Sequence, residues 1–374
     1  METTTRGWDE SVSALYERMA TMVEAGDDGV LVTIADVAGN AYRRPGAKML
    51  VSATGDKTGS VTAGCLEDSV QTLCKNVIET GTPLVEVVDV TNDDGVWGLG
   101  VGCNGIVTLL LEPITTAHKP FLEAHTSRTP IAAVTVLPEE GQEEWHRLYV
   151  RPDSEWSPSQ PEWLRLGLDG RAIEFAHEGK ASLQTVEGPD RVVDVFVDGI
   201  SPPPTLVIVG SGTDVQPLVQ IANGAGFRTV VVGFRGGKAT TERYPSADEI
   251  ISASPRELST VVDIDQNTYV CVMTHNFVDD SLAVGELGGT PTPYIGVMGP
   301  ASRFEKMKQH LRTDQPGTDI QLDSVYTPVG LDLGGGEPYQ IALSIVAEVL
   351  VVHNGRTASH LRDRDGHIHD RPTE

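Results

Sequence analysis

The chain has 374 residues, 39% of them apolar and 22% charged. That is enough to bury a core in each of two or three domains, and it excludes a disordered segment or a small disulfide scaffold. Lys and Arg number 28 against 53 Asp and Glu, a net charge of −25, whose field repels nucleic-acid phosphates and anionic lipid, so neither nucleic acid nor a membrane is an expected partner. An acidic surface poor in lysine is also one way to stay hydrated in high salt, which points to a halophilic source.

From Asp9 to Ala25 the apolar residues Val12, Leu15, Tyr16, Met19, Met22 and Val23 recur at helical spacing, and Gly26 follows as a stop. Strand-like runs then alternate with glycine-rich turns: GVLVTIADV, KMLVSATG, PLVEVVDV and GIVTLLLEP, with a helical segment near Glu67 to Glu79. Between about 115 and 200 come IAAVTVL, HRLYV and RVVDVFV among polar loops, read as a second layer or extension of the same domain. Residues 1–200 are therefore expected to form an α+β domain.

The run SPPP at 201–204 is the clearest linker, because consecutive prolines join neither a helix nor a central strand. Beyond it TLVIVG, RTVVVGF, YVCVMTH and PYIGVMG are short continuous apolar runs separated by helix-length segments, the pattern of parallel strands covered on both faces. The expected fold class is α/β, with a Rossmann-like doubly wound C-terminal domain over 205–355 and a polar tail over 356–374. No stretch approaches the roughly 20 apolar residues of a membrane helix, and METTTRGWDE lacks the features of a signal peptide. A cytoplasmic protein is expected, with Cys65, Cys74, Cys103 and Cys271 as reduced thiols.

Gly210, Ser211 and Gly212 follow a buried strand and precede a helix, where a phosphate-binding turn belongs: glycine lets the backbone approach, and a helix N-terminus offers free amides. Read without a ligand, the same residues make a tight strand–helix turn. Val215 replaces the third glycine of G-x-G-x-x-G, and the second strand ends at Gly233 and Phe234 with no carboxylate for a ribose diol. Nicotinamide binding is thereby weakened, and Arg235 is either a phosphate contact or a solvated surface charge. His275 stands at the carboxyl end of another buried strand, as a site residue or a structural histidine. Gly334, Gly335 and Gly336 lead into a helix beginning near Pro338, a second candidate anion site or simply a flexible loop.

Cys65 in TAGCLED and Cys103 in GVGCNGI are both flanked by small residues, which leaves a thiolate accessible as a soft ligand for a metal, although a lone cysteine is commonly an apolar filler. They are expected close to each other. His367 and His369, with Asp370, form an H-x-H group in the acidic tail.

Taken together, RRPGAKMLV, GSVTAGCLED, GLGVGCNGIVTLLLEP, PPPTLVIVGSG, MTHNFVDD, YIGVMG and TPVGLDLGGGEPYQIALSIVAE resemble, in order, the XdhC/CoxI family of xanthine dehydrogenase accessory proteins. The resemblance implies a non-catalytic auxiliary role. It implies binding of the molybdenum cofactor, as molybdopterin or its dinucleotide form, protection during sulfuration, and delivery to a molybdenum hydroxylase such as xanthine dehydrogenase or carbon monoxide dehydrogenase. The site residues read above suit such a cofactor: Gly210, Ser211, Gly212, Arg235, His275, Gly334, Gly335 and Gly336 for its phosphate-bearing pterin, with Cys65 and Cys103 as candidate metal ligands. A sulfur-donating desulfurase is a further expected partner, and a homodimer the expected assembly.

The chain departs from the family pattern at Thr213, where a histidine is usual, at Gly233 and Phe234, and at Arg303, which stands where paired arginines are common. The competing reading is an NAD(P)-dependent oxidoreductase in which Arg235 selects a 2′-phosphate and His275 relays a proton. A third is a scaffold that has lost its ligand and only binds a target enzyme.

Overall fold

The computed structural model describes residues 11–39, 41–62, 67–89, 105–137, 146–152, 161–168, 170–188, 190–234, 238–314 and 321–363. The chain separates into two compact units, with the boundary between Pro202 and Pro203.

In the first unit α1 (Val12–Ala25) is capped by Ser11 and stopped by Gly26, whose left-handed backbone ends the helix. It leads into β1 (Gly29–Gly39), β2 (Lys48–Ser52), β3 (Lys57–Gly59), α2 (Glu67–Thr80), β4 (Leu84–Asp89) and β5 (Gly105–Pro113). These strands form an antiparallel sheet in the order β3-β2-β1-β5-β4. Alternation sorts its faces: Val30, Val32, Met49 and Val51 pack with Val70, Cys74 and Val77 of α2, while Leu31 and Leu50 turn to Leu15, Tyr16 and Met19 of α1.

α3 (Lys119–Thr126), β6 (Ile131–Val136), β7 (His146–Val150), α4 (Glu162–Leu168), α5 (Arg171–Glu178), β8 (Ala181–Glu187) and β9 (Val192–Ile200) follow. Their antiparallel sheet runs β7-β6-β9-β8, with Leu164, Leu168, Ala172 and Phe175 of the two helices covering one face. The sequence reading has this second layer but neither its helices nor β8, whose short segments are too polar to carry a clear period.

One buried ion pair ties the two sheets together. Lys48 of β2 donates to the carboxylate of Asp198 on β9 at 2.8 Å, and both side chains are at least nine-tenths buried. Burial alone would depress the ammonium, but Asp198 and the Tyr16 hydroxyl outweigh it and hold Lys48 above its ordinary pKa.

The second unit runs β10 (Thr205–Val209), α6 (Val215–Gly224), β11 (Arg228–Gly233), β12 (Glu249–Ser252), α7 (Leu258–Val261), β13 (Thr268–Val272), α8 (Phe277–Leu287), β14 (Tyr294–Val297), α9 (Ala301–Asp314), β15 (Val325–Tyr326) and α10 (Pro338–His353). All six strands are parallel, in the order β12-β11-β10-β13-β14-β15. α6 and α10 pack on one face, through Leu218, Ala222, Ile345 and Val349 against Leu206, Ile208 and Cys271. α7, α8 and α9 cover the other, through Leu258, Val284 and Met307 against Val207, Val209 and Val270. This is the Rossmann-like, doubly wound sheet that its continuous apolar runs predict. Among the described residues no helix is long and apolar enough to cross a membrane.

Candidate functional site

Strand order in the second unit reverses between β10 and β13, so the loops leaving their carboxyl ends diverge and open a crevice between them. Gly210 and Gly212 leave β10 there, and His275 leaves β13. At Gly210 the two loops approach so closely that a Cβ would sit 2.7 Å from the Met273 carbonyl oxygen. His275 takes a left-handed backbone, φ 59°, costly for a side chain of its size. Its ring is more than half exposed, and its Nε2 meets the Asp214 carboxylate at 2.7 Å.

Asp214 stands at the N-cap of α6 but does not cap it, because its carboxylate is turned to His275. Of the first-turn amides, that of Val215 donates to the Gly212 carbonyl at 3.3 Å and Pro217 has none, so that of Gln216 is the one left to an outside acceptor. Tyr244 steadies the turn from below, its hydroxyl donating to the Gly212 carbonyl at 2.8 Å. Gly210, Gly212 and His275 are thus brought together at the switch point, with Ser211 half-buried between the glycines.

A second network supports the β13 loop. Asp280, with no exposed surface, accepts from the Thr274 amide at 3.1 Å and the Thr274 hydroxyl at 2.5 Å, and pairs with Arg303 at 2.7 Å. Arg303 also donates to the Met298 carbonyl at 3.1 Å, joining the ends of β13 and β14. The single arginine that remains after the YIGVMG run is therefore a brace for the backbone from which His275 projects.

Gly334, Gly335 and Gly336 do precede a helix, α10, and are exposed. Their amides are less available than the sequence implies. The Gln340 side chain accepts from the amides of Gly336 and Glu337, each at 3.1 Å, in a capping box that satisfies the helix start internally. The helix is tethered to α6 by the Tyr339 hydroxyl, which donates to Gln220 at 2.5 Å.

Arg235, Cys65, Cys103, His367 and His369 lie outside the described residues. Of the other thiols, Cys74 and Cys271 are free but buried, and burial pushes each up to about 12, so neither offers a thiolate. Among the described residues no group of three or more His, Cys, Asp or Glu is placed to hold a metal ion. What the crevice offers is backbone amides, a histidine and a small-residue floor, which suit a phosphate; the described residues contribute nothing that suits a metal.

Sequence reasoning finds the glycines and His275 but misses Asp214, Tyr244, Asp280 and Arg303 as their supports. Asp214 had one available signal, an acidic residue placed where a helix meets a phosphate turn.

Comparison with known proteins places these features in a family. The profile of the XdhC Rossmann domain matches residues 206–349, and that of the XdhC and CoxI family matches residues 22–89, so that together they account for more than half of the chain. A probable xanthine dehydrogenase subunit of Bacillus subtilis is 27% identical over 343 residues, covering 90% of this chain and 96% of its own. Protein YqeB of Escherichia coli is 24% identical over 163 residues, covering 43% of this chain and 30% of its own. The crystal structure of a xanthine dehydrogenase from Bacillus halodurans superposes with a TM-score of 0.74 at 29% identity, covering 91% of this chain and 96% of that one. With one profile on each side of Pro202 and the reversal of strand order where the Rossmann profile falls, the chain belongs to the XdhC and CoxI family.

Proposed function

We propose that the chain is an accessory protein to a molybdenum hydroxylase of the xanthine dehydrogenase type, and that it carries the molybdenum cofactor to that enzyme. The observation that carries this reading is the crevice at the strand-order reversal, where Gly210, Gly212 and the uncapped start of α6 face the exposed ring of His275. A pterin bearing a phosphate or a nucleotide diphosphate has an anionic end of the kind such a turn accepts. The names of the Bacillus relatives support the choice of target enzyme.

When bound, the cofactor supplies redox chemistry only after transfer to the hydroxylase; this chain's residues hold and position it. Gly212 keeps the backbone close to the phosphate, the Gln216 amide in the first turn of α6 donates to it, and His275 occupies the crevice mouth. The end of β11 carries no acidic residue for a ribose diol, which weighs against a nicotinamide.

The test is pterin and molybdenum content of the protein purified from its own host, beside Gly212→Asp, which adds a negative charge where the phosphate would sit. Pterin in the parent and a loss of tenfold or more in the variant are expected. A parent free of pterin, or a variant that retains it fully, overturns the reading.

A further inference from the structure

The first unit carries a recess that the crevice does not use. It opens at the N-terminus of α1, holds about 280 Å³ of space with its open mouth included, and is lined by Ser11, Val12, Arg43, Lys48, Gly59 and Ser60. Among the described residues no acidic side chain lines it. In a chain with 53 acidic residues against 28 basic ones, two cationic side chains around one recess run against the grain of the surface.

Its donors are of three kinds. The Ser11 hydroxyl is spent on the Ala14 amide at 3.2 Å, which leaves the amides of Val12 and Ser13 at the positive end of a fourteen-residue helix. Lys48 is committed, to the Gly46 carbonyl at 3.0 Å and to Asp198, so its charge is balanced within the fold. Arg43 has no ion pair or hydrogen bond among the described residues, and its fork sets the charge of the recess. Ser60 supplies the second, independent sign of a ligand: it is 6% exposed and lines the recess, yet its hydroxyl has no partner among the described residues. The residue is buried while its hydroxyl stays accessible through the recess, so a donor is presented there with no partner among the described residues.

Gly59 lets the wall of the recess pack closely against Lys48 and Leu15. Its φ of 75° lies in the left-handed region, and a Cβ there would stand 2.7 Å from the Lys48 carbonyl oxygen and 2.9 Å from Leu15.

We infer that this recess is a binding site for a phosphate group, held by the Arg43 guanidinium, the Ser60 hydroxyl and the start of α1. A tetrahedral oxyanion accepts from a planar fork, a hydroxyl and helix amides arriving from different directions, which a flat carboxylate does not match. The site is independent of the crevice in the second unit and does not rest on the proposed carrier function. The phosphate is either inorganic or borne on an organic ester.

The test is calorimetric titration of the full chain with inorganic phosphate, phenyl phosphate and acetate at fixed ionic strength, for the parent, Arg43→Gln, Ser60→Ala and Gly212→Asp. Lys48 is left alone because its loss would strand Asp198 in the core. Arg43→Gln should weaken phosphate binding about tenfold, as for loss of one charge-assisted pair, and Ser60→Ala about threefold, with melting temperatures unchanged. In Gly212→Asp the component that depends on Arg43 should persist, whatever becomes of the crevice. Tighter binding of phenyl phosphate assigns the site to an ester, and equal or tighter binding of inorganic phosphate assigns it to the free ion. Parental affinity in both Arg43→Gln and Ser60→Ala, or acetate bound as tightly as phosphate, overturns the inference.

Discussion

His275 holds Asp214 away from the helix it would otherwise cap. The two side chains meet at 2.7 Å, and α6 starts without a side-chain cap although an aspartate, one of the best capping residues, stands at its N-cap. The pairing keeps the Gln216 amide at the start of α6 free, since Val215 donates to the Gly212 carbonyl and Pro217 has no amide hydrogen, and it partly offsets a negative charge that would oppose an anion there. His275→Ala should let Asp214 swing back onto the Gln216 amide and compete with a phosphate, so affinity for a phosphorylated ligand should fall about fivefold or more. Asp214→Asn removes the like charge and should bind such a ligand at least as tightly as the parent. Titration with a pterin phosphate separates the cases: equal losses in both variants would mean that the pair acts by contacting the ligand.

The two glycines of the turn are constrained for different reasons, and alanine should separate them. At Gly210 the obstacle is backbone, the Met273 carbonyl oxygen at 2.7 Å, so the ends of β10 and β13 must part. Gly210→Ala should cost about 2 kcal/mol or more in urea unfolding. At Gly212 the nearest atom is the Asp214 carboxylate oxygen, the far end of a side chain that can turn aside. Gly212→Ala should therefore cost less than about 1 kcal/mol but break the Asp214–His275 pairing and weaken the phosphate ligand. The reverse order of stabilities would show that Asp214 is not free to turn.

What the sequence discloses and what it withholds follow from range. β10, β11, β13 and β14 are legible because a strand buried on both faces writes a continuous apolar run, whereas β12 and β15, four and two residues at the sheet's edges, write almost nothing. Gly210 and Gly212 are legible because a strand, a turn and a helix are adjacent in the chain. Asp214 and His275 lie 61 residues apart, and Arg303 lies 23 from the Asp280 it neutralises, so their pairing exists only once the parallel sheet sets the loops side by side. The recess in the first unit gave no signal at all. Arg43, Ser60 and the start of α1 converge because β2 and β3 form a hairpin across α1, and no motif spans them.

His118 should make stability depend on pH in a definite direction. It is 2% exposed, and burial, with a smaller contribution from Arg147, lowers its pKa from 6.5 to about 4 against the opposing pull of Glu112. Its Nδ1 accepts from the Thr115 amide at 3.2 Å, while Nε2 is buried without a partner among the described residues, so the folded chain keeps the ring neutral. Below about pH 6.5 the unfolded chain takes up a proton that the folded chain refuses until about pH 4. The unfolded state binds more protons throughout that window, so stability rises with pH across it and is lost as the pH falls from about 6.5 to about 4. A displacement of that size is worth about 3 kcal/mol when fully expressed. His118→Gln lacks the titrating ring. It should be less stable than the parent at pH 7.5, because it loses the ring's edge contact with Phe121, yet lose less on acidification, so that the two curves converge toward pH 4. The midpoint of urea unfolding at pH 7.5, 6.5, 5.5 and 4.5 checks this. Carboxylates titrate alike in both proteins and cancel in the difference, so parallel curves would mean that His118 takes up its proton over the same pH range folded and unfolded.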